Sequence, residues 1–359
     1  MPRLSGRSQG LIDILIARRS LISQAVVEST YRDLPHLWDV FGERGRELCR
    51  VDMDYHISYL IESLIQSDPS LFFSYLTWVR GLFAHMNLPE NCVSDLLERM
   101  RRVLKDMLPD EYVSMISAYL DFSDEVTDVS AQVDAGSRCP NQGLVETCKS
   151  YTEALLQGDK QAARELILGS VNQGTPIQDI YLHVFQPAQR EIGRLWYTRR
   201  ISVAEEHYFT AVTQLMMSEL YPFIFNTRKS GRRLVAACAK GELHEIGMRM
   251  VADFFEMEGW DTYYLGANMP NDDIIGMLRE KKPEVLAVSA TLSLCYSAVE
   301  RLISEVRATP IGERIKIIVG GVALGQREDL CRKLGADACG TDAQEALRAV
   351  DRLLTPDSR

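Results

Sequence analysis

The chain has 359 residues, 46% hydrophobic and 25% charged, with a formal net charge of −10. At roughly 150 residues per domain the length suits two or three domains, and the composition excludes wholesale disorder, collagen-like repeats and coiled coil. The negative charge argues against bulk nucleic-acid binding, which depends on Lys and Arg neutralising phosphates, so nucleic acid is not an expected partner. Apolar residues then recur at three- and four-residue intervals in Leu11–Val27, Tyr55–Ile65, Leu71–Phe83 and Cys92–Leu108, which predicts an all-helical domain over residues 1–125. Asp68-Pro69 supplies an N-cap residue followed by proline at the first helical position.

Residues 126–142 lack helical periodicity and hold the Ser, Asp, Gly and Pro of a linker. Periodicity returns over 143–228 in four segments, predicting an antiparallel four-helix bundle. They are Leu144–Gln157, Ala162–Val171, a helix opened by Thr175-Pro176 and ending near Tyr197, and a fourth from Ser202 to about Leu220. Ser202-Val203-Ala204-Glu205 is a capping box that fixes the start of the fourth. Over 232–357 short runs rich in Val, Ile and Tyr alternate with helical stretches. Leu234–Ala239, Trp260–Leu265, Val285–Ser289, Ile315–Val319 and Ala338–Cys339 read as strands. That alternation predicts a doubly wound, flavodoxin-like or Rossmann-like parallel sheet, with ligands beyond the carboxyl ends of its strands. The fold class is therefore α + α/β. With no run near the ~18 apolar residues of a membrane span, and Leu11–Ala17 broken by Asp13, no membrane association is expected and a cytoplasmic location is. The eight cysteines include no Cys-x-x-Cys pair and are expected as reduced thiols.

The first strand of the sheet domain runs into Gly241-Glu242-Leu243-His244-Glu245-Ile246-Gly247. Glu242 is placed to accept a hydrogen bond from one nitrogen of His244, leaving the other for a metal, an arrangement typical of metal-bound histidines. No three- or four-ligand cluster accompanies it, so the metal must arrive with its other ligands supplied, as in a tetrapyrrole-like cofactor. Ser289 and Thr291 follow the third strand, and Gly320-Gly321 the fourth, where missing side chains allow close backbone approach.

These residues resemble the cobalamin-binding fold shared by methionine synthase, corrinoid carrier proteins and the CarH-type light-sensing regulators. That family carries Asp-x-His-x-x-Gly, then Ser-x-Leu or Ser-x-Thr, then Gly-Gly. Here 41 residues separate Gly247 from Ser289 and 28 separate Thr291 from Gly320, as in the family, and Glu242 replaces its Asp. The resemblance implies His244 as lower axial ligand of cobalt. It also implies a slot for the cofactor's displaced base, lined by Ser289, Thr291, Gly320 and Gly321.

In the bundle, Trp196 by itself reads as a core residue, and a helix N-terminus favours Glu206 through its dipole. Trp196, nine residues, then Glu206-His207 also resembles the motif with which CarH-type photoreceptors cover the adenosyl group of adenosylcobalamin. Tyr197 stands where those photoreceptors carry a histidine. A helical domain ahead of such a pair resembles the photocobilins, which also bind biliverdin. That resemblance implies a bilin slot in which Tyr55, His56, Tyr59, Trp78, Arg80 and His85 take part; these aromatics read equally as helix core, with His85 capping a helix end.

The expected function is a light sensor, not an enzyme. Loss of the adenosyl group from adenosylcobalamin, with biliverdin as a possible second chromophore, would shift the bundle against the sheet domain. Light-dependent self-association or a downstream effector protein would carry the signal. The alternative is a corrinoid carrier for methyl transfer, which needs an open upper face at the cobalt.

Overall fold

The computed structural model describes residues 6–121, 142–225, 227–325 and 327–355; the expected linker falls almost wholly outside the described residues. The chain divides into two compact units, Met1–Ala135 and Gly136–Arg359.

The first unit consists, among the described residues, of five helices: α1 (Gly6–Asp33), α2 (His36–Gln66), α3 (Pro69–His85), α4 (Cys92–Met107) and α5 (Asp110–Leu120). The start of α3 follows from sequence: the Asp68 side chain, on extended backbone, accepts from the Ser70 N–H at 3.0 Å. Pro69 gives up an N–H that a helix start leaves unpaired in any case. Gly42, at φ 57 and ψ −160, kinks α2 near its start. Leu11, Leu15, Ile22 and Val26 of α1 pack with Ile57, Leu60 and Leu64 of α2 and Met100 and Leu104 of α4, all buried.

The second unit opens with α6 (Gln142–Leu156) and α7 (Lys160–Asn172). Its third helix runs as α8 (Ile177–Ile180), a π-helical turn (Tyr181–Phe185) and α9 (Gln186–Tyr197), and α10 (Val203–Glu219) and the short α11 (Tyr221–Ile224) follow. The cap residue before α8 is Pro176, without a side-chain cap, rather than the expected Thr175. The π turn was not foreseen; it lies just ahead of Pro187, whose missing N–H cannot close an ordinary bond to the carbonyl of residue 183. The capping box of α10 is present in both directions, between Ser202 and Glu205. At the end of α9 the Arg199 and Arg200 N–H groups bond the Trp196 and Leu195 carbonyls at 2.9 and 2.8 Å. This is a Schellman turn with Arg199 at φ 57 where glycine is usual.

The sheet then alternates with helices: β1 (Arg233–Cys238), α12 (Ile246–Met257), β2 (Asp261–Tyr264), α13 (Asn271–Lys281), β3 (Val285–Ser289), α14 (Tyr296–Arg307), β4 (Lys316–Gly320), α15 (Glu328–Lys333), β5 (Ala338–Gly340) and α16 (Ala343–Leu354). All pairings are parallel, in the order β2-β1-β3-β4-β5. This is the expected doubly wound, flavodoxin-like architecture. Residues 234–238 and 285–289 are buried throughout, as strands covered on both faces must be. The chain reverses direction between β1 and β3, so the crevice beyond their carboxyl ends is the ligand position for this topology.

The bundle and the sheet share one core. Tyr181, Phe185, Met216 and Met217 pack with Met250, Phe254 and Met257 of α12. At the same seam Tyr181 and Tyr221 donate their hydroxyls to the buried Asp253 at 2.8 and 3.0 Å. Burial pushes the Asp253 carboxyl up to about 6, outweighing the two hydroxyls and Arg249, which favour its charge. One expectation is corrected here: Cys331 of α15 and Cys339 of β5 are joined as a disulfide, their Cα atoms 6.3 Å apart. They stand eight positions apart in sequence, so only the fold of α15 back onto β5 reveals the pair.

Candidate functional site

The loop after β1 turns at Gly241, whose φ of +87 favours glycine and whose N–H donates to the Asn268 side chain at 2.8 Å. The next residue, Glu242, is fully buried. Its Oε1 accepts from the His244 ring Nδ1 at 2.6 Å and from the His244 backbone N–H at 2.8 Å. Its Oε2 accepts from the backbone N–H groups of Thr291 and Leu292 at 2.5 and 3.2 Å. One carboxylate therefore fixes the imidazole and ties the β1 loop to the β3 loop across the switch point. Burial acts to raise the Glu242 carboxyl, but the bonds from His244 and Thr291 hold it below the usual carboxylate range. The hydrogen bond to Glu242 raises His244 against the effect of burial, and the Glu242 and Glu206 charges add to the rise.

With Nδ1 engaged, the His244 side chain is 57% exposed and Nε2 makes no hydrogen bond among the described residues. No group of three or more His, Cys, Asp or Glu gathers for a metal among those residues. The donor set is a single oriented imidazole, which fits a metal that brings its remaining ligands in a macrocycle. Gly247, the second residue of α12, fits the same requirement: a Cβ there would meet nothing within 4 Å, so the chain's own packing does not demand glycine and the space beside it is open.

The expected base slot is built differently from the sequence reading. Register aligns Cys238, Ser289, Gly320 and Gly340 in one row at the carboxyl edge of the sheet. The Ser289 hydroxyl turns along this row to the Cys238 sulfur at 3.3 Å. The Cys238 thiol, pushed by burial up to about 11, stays neutral. Thr291 contributes its backbone N–H to Glu242. Gly320 and Gly321 admit the chain's own backbone: a Cβ would come within 2.9 Å of the Gly340 oxygen at Gly320, and 2.3 Å of the Ala290 oxygen at Gly321.

On the bundle side, Trp196 is half-buried in the last turn of α9. Glu206 accepts from Thr210 at 3.1 Å and pairs with the His207 ring at 2.6 Å. His207 keeps three-quarters of its side chain exposed. Thr210 lies 3.0 Å from the Gln189 side-chain oxygen, and the Gln189 Nε2 is buried without a partner among the described residues. Sequence reading missed Glu245. It accepts from Tyr264 at 3.0 Å and the Ala267 N–H at 3.1 Å within the sheet domain, and from Gln214 of α10 at 3.1 Å.

The residues considered for a bilin lie in the first unit. His56 is buried, bonded through Nδ1 to the Tyr75 hydroxyl at 2.7 Å, and burial pushes it down to about 4. Tyr59 stacks on Tyr75 at 3.7 Å, with Trp78 6.3 Å from the same ring, so Tyr75, which the sequence did not single out, is the centre of the group. Tyr55 is half exposed. His85 bonds the Gly81 carbonyl of its own helix at 2.7 Å, the helix-end role. Arg80 stands two residues from Trp78, on nearly the opposite side of α3.

An oriented imidazole at the switch point of a flavodoxin-like sheet, next to a helical bundle, defines a corrinoid-binding class of protein. A family model described as the B12 binding domain matches residues 232–351, and a second B12 binding domain model matches residues 147–221. The chain is a cobalamin-binding protein. It is 23% identical over 208 residues to the trimethylamine corrinoid protein of Methanosarcina barkeri, covering 56% of this chain and 94% of that protein. It is 24% identical over 164 residues to dimethylamine corrinoid protein 2 of Methanosarcina acetivorans, covering 46% and 73%. The structure of the Methanosarcina barkeri monomethylamine corrinoid protein shares the fold, with a TM-score of 0.52 and 19% identity over 58% of this chain and 99% of that one.

These relatives overturn the light-sensor expectation. The second B12 binding domain model spans the helices that carry Trp196, Glu206 and His207, so those helices do not by themselves mark a photoreceptor. Light-dependent self-association falls with that reading. No described helix is long and apolar enough to cross a membrane.

Proposed function

We propose that the chain is a corrinoid carrier that holds a cobalt corrinoid through His244 and offers the metal's upper face to partner proteins for methyl transfer. The observation that carries the reading is His244, with Nδ1 engaged by buried Glu242 and more than half of its side chain exposed. When bound, cobalt supplies a site that accepts and gives up a methyl group. His244 would be the lower ligand, oriented by Glu242. Ser289, Thr291, Gly320 and Gly321 would border the cofactor's base, and Gly247 would leave room for the ring. Trp196, Glu206 and His207 would line the bundle side, where the exposed His207 ring leaves the approach open to a partner. That partner would be a methyltransferase, the class with which a carrier exchanges methyl groups; its methyl donor is a property of the partner. Adenosylcobalamin and biliverdin rest on the photoreceptor resemblance alone and have no part in the proposal.

Two measurements test it. Methylcobalamin titrated into the purified chain is expected to show the spectral change of an imidazole replacing the cofactor's own base, and His244→Ala to abolish it. The corrinoid-loaded chain is then expected to acquire label from an isotopically labelled mono-, di- or trimethylamine when the corresponding methyltransferase is present. A chain that binds corrinoid but takes up label with none of the three is not a methylamine-type carrier.

A further inference from the structure

After its kink at Gly42, α2 carries two apolar faces. Met53, Ile57, Leu60 and Leu64 are buried in the core of the first unit. Leu48, Val51 and Tyr55, about half a turn of the helix away from them, are 56%, 39% and 52% exposed. Past Tyr55 this outer face runs beneath α3, where Tyr59 stacks on Tyr75 and Glu62 and Gln66 are buried. It is covered along its second half and bare along its first.

Two exposed charges share the bare half, Arg44 and Asp52. Neither has an ion pair or hydrogen bond among the described residues. With Leu48, Val51 and Tyr55 they occupy positions i, i+4, i+7, i+8 and i+11, which fall on one side of a helix. They are also symmetric about Leu48, one four residues before it and one four after. A two-fold axis through Leu48 that sets a second α2 antiparallel to the first brings Leu48 onto its own copy. It also brings each Arg44 onto the Asp52 of the other helix, so the same ion pair forms twice with one operator. A parallel pairing would oppose Arg44 to Arg44 and Asp52 to Asp52. Self-complementarity of this kind is what an isologous dimer requires.

We propose that the first half of α2 is a contact between two copies of this chain, packed antiparallel about Leu48. The contact is smaller than the ~800 Å² per partner of a standard interface, so the dimer dissociates on dilution. It is independent of the carrier reading.

Sedimentation velocity of the full chain over a concentration series is expected to show reversible dimerisation. Exposed ion pairs contribute modestly, but Arg44→Glu turns two attractions into two repulsions. Its expected effect is a loss of about tenfold in dimer affinity, equivalent to about 1.4 kcal/mol. Adding Asp52→Arg to that variant restores the opposite-charge pairs and the dimer. In a Cys49→Ser background, Leu48→Cys is expected to cross-link to its own copy under mild oxidation. Arg44→Cys is not, since antiparallel packing sets the two copies of that position about 12 Å apart along the axis. A chain that stays monomeric throughout overturns the proposal, even where another protein binds this face. So does a dimer indifferent to Arg44→Glu, a doubly reversed variant that stays monomeric, or self-cross-linking as fast at Arg44→Cys as at Leu48→Cys.

Discussion

Asp253→Asn isolates the buried carboxylate at the seam between bundle and sheet. The amide is nearly isosteric: its oxygen accepts from one of Tyr181 and Tyr221, and its NH₂ donates to the hydroxyl oxygen of the other, so the geometry survives while the charge goes. The native carboxyl titrates at about 6 against an ordinary value of 3.8. That difference of about 2 units, at 1.36 kcal/mol per unit, amounts to about 3 kcal/mol. The sign follows from proton uptake. Between 3.8 and about 6 the native state holds a proton that the unfolded chain has released. This group's contribution is therefore fully present below the lower value and lost as pH rises through the upper one. Arg249, which lies over the Tyr221 ring at 5.7 Å, offsets part of the cost of the ionised form, and the Glu256 charge adds to it. Urea unfolding of wild type and variant, compared over about pH 4 to pH 8, cancels the titration of every other group the two share. The variant is expected to gain on wild type between about pH 4 and about pH 6 and to hold a gain of about 3 kcal/mol above that. A stability difference that does not change with pH would refute the reasoning.

Glu242→Gln is expected to weaken corrinoid binding by ~10–100-fold, the usual consequence of losing the group that orients a metal-bound histidine, as read by absorbance titration with aquocobalamin. Its NH₂ must face N–H donors on one side or the other, since the carboxylate accepts from His244 through one oxygen and from Thr291 and Leu292 through the other. Two glycines should separate in the same assays. Gly321→Ala drives a Cβ to 2.3 Å from the Ala290 oxygen at a φ of +101 and is expected to lower stability to urea by ~2 kcal/mol or more. Gly247→Ala meets nothing and is expected to leave stability unchanged while reducing corrinoid affinity; unchanged affinity would count against the ring lying beside Gly247.

Where neighbours in sequence decide a structure, the sequence was legible. The Ser202 capping box, the Asp68-Pro69 start and the alternation from β1 to α16 depend on contacts within a few residues or on burial of a repeating face. The Glu242–His244 pair was readable for the same reason, being two residues apart. Glu245 was not, because its partners Gln214 and Tyr264 lie 31 and 19 residues away and nothing in a loop glutamate announces them. Asp253 left a fainter trace, an acid on the buried face of an amphipathic helix between Ala252 and Phe254, but its tyrosines come from elements 72 and 32 residues distant. The glycine pair was legible as a place of close approach, and the structure adds the chain's own Gly340 and Ala290 carbonyls as neighbours: sequence shows that close approach occurs, not whose atoms approach. The Trp196 and Glu206-His207 pattern led to the wrong activity because the bundle that carries it matches a B12 binding domain as such, and that match does not tell a sensor from a carrier.

The two oxygens of Glu242 belong to different jobs, one setting the tilt of the imidazole and the other the gap between neighbouring strand ends. Because a single rigid planar group performs both, neither can be adjusted alone. Spreading the strand ends would swing the imidazole, and a reoriented imidazole would pinch or spread the sheet edge. Any remodelling of this protein to accept a different corrinoid has to begin at residue 242, where the two adjustments are geared together.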